Sequence, residues 1–168
     1  MLSAKKQLDQ NYVIRPIERR LTAGVVGSLL LLWGGSIWMW LVFSGPVVVH
    51  WGINGYSYGA PSSNLWMSVT FTVLALLLLM LRRWLNPYTK WTNIPTPVTK
   101  ENAEPIYRSL RHLMAWLAFI TALLPLPIFI EFLLVSLGVN VYLFAVAPII
   151  GLVYPLVTVY YLLKISNH

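Results

Sequence analysis

The chain contains no cysteine, so disulfides, thiolate metal sites and cysteine nucleophiles are excluded. Charge is scarce as well: charged residues make up 10% of the 168, where a typical soluble domain carries roughly 25%. The three histidines, His50, His112 and His168, are too scattered to outline a metal site by spacing. No glycine-rich phosphate loop, nucleophile elbow or pair of intramembrane carboxylates is present. Nothing here supports soluble-type catalysis, and the expectation is a protein without enzymatic activity, cofactor or metal.

What the chain has instead is apolar length. Hydrophobic residues account for 58% of it, and a surface so poor in charge must face lipid over much of its area. Four runs approach the ~20 residues needed to cross a hydrocarbon core of about 30 Å. They cover residues 21–45, 65–81 (extendable to 85), 113–137 and 141–163. Strands of a barrel alternate in polarity, whereas these runs do not, so helices are expected. The first run exceeds a signal h-region and no A-x-A-like site follows it, which predicts a retained span. The reading is all-α: a polytopic four-helix bundle over residues 21–163, preceded by a basic segment, residues 1–20.

The twelve Lys and Arg residues are distributed on one side only. Lys5, Lys6, Arg15, Arg19 and Arg20 precede the first span. Arg82, Arg83, Lys90, Lys100, Arg108 and Arg111 lie between the second and third, and Lys164 ends the fourth. The other two connections have none. By the positive-inside rule both termini and the 82–112 loop are cytoplasmic. The same placement directs the basic residues to anionic headgroups and argues against nucleic acid as a partner. Within the loop, Asn86-Pro87, Ile94-Pro95 and Thr96-Pro97 predict extended or turning backbone. A helix is expected to begin near Asn102, with Pro105 third in it and Glu104 in its first turn.

Candidate functional residues fall in two places. The outer loop, residues 46–64, is uncharged and aromatic, and His50, Trp51, Asn54, Gly55 and Tyr56 could form a partner-binding surface or a compact interfacial turn. Beneath it Glu131 is the only acidic residue within the four runs. A carboxylate in hydrocarbon costs about 3 kcal/mol or more unless it is paired or protonated. Matching depth at 1.5 Å per residue nominates Thr70 and the Trp38 indole as its donors, with His50 reaching down from the loop. Prolines at 125, 127, 148 and 155 bend the helices and either open a cavity there or merely curve the bundle. In the first span the small pairs Ala23/Gly27 and Gly24/Ser28 either permit a close helix–helix approach, with Gly24 and Gly27 as the packing residues, or merely reflect the usual composition of a membrane helix. Trp33, Trp38 and Trp40 suit an aromatic belt.

The spacing of Pro46, His50, Trp51, Gly52, Asn54 and Gly55, set between two spans, resembles the signature loop of the Sdp-type immunity (SdpI-like) bacterial membrane proteins. The run Pro97, Thr99, Glu101, Asn102, Glu104, Tyr107 and Arg108 resembles that family's cytoplasmic segment entering its third helix. The chain departs from the pattern at Ser57 and Tyr58, where Asp-Gly is common, and at Asn64, where a Lys is common. The family's immunity proteins also carry further helices. The resemblance implies a bacterial inner or plasma membrane protein that protects against a secreted peptide toxin, with a cytoplasmic regulator as a further partner at the 82–112 loop.

The leading expectation is therefore a toxin-immunity or signal-receptor protein engaging a peptide or protein at its outer loop. The rivals are an accessory subunit of a larger membrane complex and, with Glu131 as a proton-coupled site, a small transporter.

Overall fold

The computed structural model describes residues 12–52, 54–85, 94–139 and 141–168. The expected turn at Asn86-Pro87 and most of the basic 1–20 segment lie outside them. Helix α1 spans Pro16–Val42, followed by strands β1 (Val47–Gly52) and β2 (Gly55–Gly59). Helix α2 spans Asn64–Trp84, α3 Ala103–Leu123, α4 Pro125–Ser136 and α5 Val146–Ser166. Helices α3 and α4 run on through Leu124 as one span, Ala103–Ser136, which brings the helices long and apolar enough to cross a membrane to four.

Local chemistry sets the ends. Pro16 is the first residue of α1, where its fixed φ suits a helix and its missing N–H forfeits no bond. The helix thus starts five residues before the apolar run and takes Glu18 with it. At 27 residues α1 is about 40 Å long, more than a 30 Å core requires. Helix α3 begins after Asn102, as expected. The Asn102 side chain, however, caps no helical N–H. Its Oδ1 accepts from the Thr99 amide at 2.7 Å and its Nδ2 donates to the Pro97 carbonyl at 3.0 Å, tying off the approach to the helix.

The third span is the axis of the bundle. Of its most apolar window 44% is buried, against 6% for the fourth span, which therefore lies at the periphery. Helices α1, α2 and α3 meet through Val25, Ala75, Ala118 and Ala122, small side chains that let backbones approach closely. Polar pairs stitch the antiparallel α1–α2 seam along its length. Arg82 reaches the Thr22 hydroxyl (3.4 Å), the Trp33 indole donates to Thr72 (2.9 Å), and Ser36 bonds Ser68 (2.9 Å). Trp33 is therefore an interhelical donor as well as an aromatic. On the other flank, Tyr154 of α5 bonds the Thr121 hydroxyl of α3.

A Cβ on Gly24 would lie 2.6 Å from the Phe119 ring of α3, so Gly24 is a point of close approach. Gly27 is exposed with nothing within 4 Å of its Cβ direction, and the Ala23/Gly27 pair faces outward. The second close-approach residue is Gly35, which receives the Phe129 ring about three turns along from Gly24 on the same face.

Candidate functional site

The loop after α1 is a β-hairpin, an element the all-α reading did not contain. Gly52 pairs with Gly55 across the turn, and Gly55 takes φ +95°, a conformation that L side chains rarely adopt. The register runs Val47↔Gly59 and Val48↔Tyr58, then resumes at His50↔Ser57, so Val49 is a bulge. Val47 and Val48 are fully buried, while His50 and Trp51 are exposed. The strand dives into the helices at its start and leaves them at His50.

Three polar contacts hold the hairpin from below. The Val48 amide donates to Ser136 Oγ of α4 at 2.9 Å. Asn64, opening α2, donates from Nδ2 to the Val48 carbonyl at 3.1 Å and also contacts Met39 Sδ of α1. The hydroxyl of Tyr56 donates to the fully buried carboxylate of Glu131. That bond to a carboxylate, with burial second, pushes the Tyr56 phenol up to about 12.

The partners nominated by depth are not the ones used. Thr70 lies on an exposed face of α2, and Trp38, 45% exposed, packs edge-on against Phe43. Depth gives position along a helix axis but not rotation about it. His50 stands at the mouth of an apolar chamber of about 590 Å³ with Trp51, over Met67, Ile128, Phe132 and Pro148. Leu124, where α3 passes into α4, lines the chamber together with Pro148 and Gly151 of α5. Of the five outer-loop candidates, His50 and Trp51 line it, Asn54 and Gly55 form the turn, and Tyr56 points inward as the latch.

At the opposite, basic end lies a cluster the sequence reading missed. The Glu18 carboxylate is fully buried and accepts from the Tyr12 hydroxyl. Around it stand His112 Nε2 at 3.3 Å, Arg111 at 3.7 Å and Arg82 at 3.9 Å. Arg111 also donates to the Tyr107 hydroxyl at 3.2 Å and lies over the Tyr12 ring, 4.4 Å from its centroid. Burial, then the bond to Glu18, raises the Tyr12 phenol well above its ordinary value. The available signal was Pro16: a proline that opens a helix places Glu18 in its first turn. Among the described residues no group of three or more His, Cys, Asp and Glu could hold a metal ion.

No family model, curated protein or solved structure matches this chain.

Proposed function

We propose that this is a non-enzymatic, multi-pass membrane receptor of toxin-immunity or signalling type, engaging an extended peptide or protein partner at its hairpin. The one-sided distribution of Lys and Arg supports an orientation with the hairpin outside and both ends in the cytoplasm. The loop resemblance to Sdp-type immunity proteins supports a bacterial inner membrane as its location.

One observation carries the reading. The hairpin is latched beneath by Tyr56–Glu131 and Val48–Ser136, yet it leaves His50 and Trp51 exposed over an apolar chamber of about 590 Å³. A chamber of that size accommodates an apolar anchor side chain, with a rigid aromatic and an imidazole at its rim. Among the described residues the sheet has two strands and none pairs with the far edge of β2, the geometry that accepts an extended peptide. Preorganisation of this kind lowers the ordering cost of binding.

Deletion of the gene should sensitise its host to the host's own spent medium, and the wild-type gene should restore growth. A His50→Ala/Trp51→Ala double variant, inserted at equal abundance, should not restore it. Full protection by the double variant, or no sensitivity in the deletion strain, would overturn the proposal.

A further inference from the structure

The chamber beneath His50 and Trp51 is longer than a side chain can fill. Its back wall is the third span, where Phe132, Ile128 and Leu124 line it at four-residue spacing. Eight residues at 1.5 Å rise make that wall about 12 Å long, running from the hairpin end toward the middle of the span. An apolar side chain extends about 7 Å at most from its Cα, so a single anchor residue leaves the lower part empty. The facing wall is the start of α5, where Ala147, Pro148 and Gly151 carry little bulk. At the foot Gly151 faces Leu124, and a Cβ there would stand 3.9 Å from Leu124 Cδ1.

Polarity is graded along the same axis. Among the described residues no Asp, Glu, Lys or Arg lines the chamber, and the Glu131 carboxylate beside Phe132 accepts from Tyr56. The polar groups of the lining, the His50 imidazole and the Trp51 indole, both belong to the rim. The sequence around that rim is uncharged as well: residues 43–63 and 137–145 contain no Asp, Glu, Lys or Arg. A phosphate or other charged head finds no counter-charge there, whereas an amide or ester can bond the imidazole.

We propose that the partner's anchor is a hydrocarbon chain: the chamber takes an acyl chain whose uncharged amide head stays at His50, as on an acylated peptide. Extended over 12 Å, such a chain has about ten carbons. Seated in the slot, it gives the walls the dispersion contacts that an empty slot forgoes. The proposal deepens the receptor reading and rests on it for the partner that carries the chain.

The test is photolabelling of the full chain in phosphatidylcholine nanodiscs. The probes are N-dodecanoylglycinamides with a diazirine near the head or near the chain end, and peptide mass spectrometry locates the label. The head position should label His50 or Phe132, and the chain end should label Ile128 or Leu124. Unlabelled N-dodecanoylglycinamide should suppress the chain-end label. Gly151→Phe and, from the opposite wall, Ile128→Trp each put a ring into the slot and should lower the chain-end label at Leu124 about tenfold. Leu156→Phe, on the exposed face of α5, should leave it unchanged. Equal suppression by N-acetyltryptophanamide would show a side-chain pocket, and equal suppression by lysophosphatidylglycerol would show no selection for an uncharged head. Either result overturns the proposal, as does chain-end label as strong at exposed Leu152 and Leu156 as at Leu124. No partner is present in this assay, so it separates from the receptor reading. Absent chain-end label, with protection still lost in the His50→Ala/Trp51→Ala variant, would sink the acyl chain and leave the receptor. Specific label with protection retained by that variant would leave the acyl site and remove the receptor.

Discussion

The hydroxyl of Tyr56 donates a hydrogen bond to the carboxylate of Glu131, 75 residues further along the chain. It joins the hairpin to the third span and gives a buried acidic group a donor. Removing the hydroxyl leaves that carboxylate without it, at a cost of about 1–3 kcal/mol. Tyr56→Phe should therefore lower thermal stability in detergent and raise the reactivity of a thiol introduced at Asn54. Unchanged melting and labelling would show that the hairpin is held without this latch.

The same contact has a signature in alkali. The Tyr56 phenol is raised from its ordinary 10.0 to about 12. A raised folded-state value means that the contact's contribution is complete below pH 10, erodes above it and is gone beyond about pH 12. In a difference titration of wild type against Tyr56→Phe, the Tyr56 phenolate absorbance should rise near pH 12. In a Glu131→Gln background it should move back toward 10. A Tyr56 component already titrating at 10.0 in the wild type would contradict the bond.

Glu18 neutralises a crowded set of cations, and its removal should be felt far more than that of a surface acid. Glu18→Gln leaves Arg82 and Arg111 uncompensated at 11% and 10% side-chain exposure, a loss of about 3–5 kcal/mol. Added salt should restore little of it, since buried charges are poorly screened. Arg82→Gln in the Glu18→Gln background should recover part of the loss. A Glu18→Gln protein that melts with the wild type would show that the cluster contributes nothing to folding.

Gly24 and Gly27 separate cleanly by substitution. Gly24→Val drives a side chain into the Phe119 ring and should cost about 1–3 kcal/mol. Gly27→Val meets no atom within 4 Å and should be close to neutral. Parallel unfolding curves for the two variants would remove Phe119 as the packing partner.

Sequence alone sufficed for the number of helices long and apolar enough to cross a membrane, because that capacity depends on length and composition. It also predicted the start of α3 from Asn102 and Pro105. It did not reveal the hairpin, although Asn54-Gly55 is a strong turn signal, because aromatic and valine-rich residues beside a membrane also suit an interfacial coil. Nor did it find Glu18, because apolar counting begins the first span after the basic flank, whereas the helix itself begins at Pro16.

Rotation about each helix axis belonged to the tertiary structure alone. Rise per residue places Thr70 and Trp38 level with Glu131, but α1 is apolar on nearly every side, and in α2 Thr70 lies off the face that Asn64, Ser68 and Thr72 turn inward. Only packing against the third span turned Thr70 outward, aimed Tyr56 at Glu131 and chose Gly24 and Gly35 over Gly27. Composition and length act along the chain and are legible there. The azimuth of a uniformly apolar helix is decided by its neighbours.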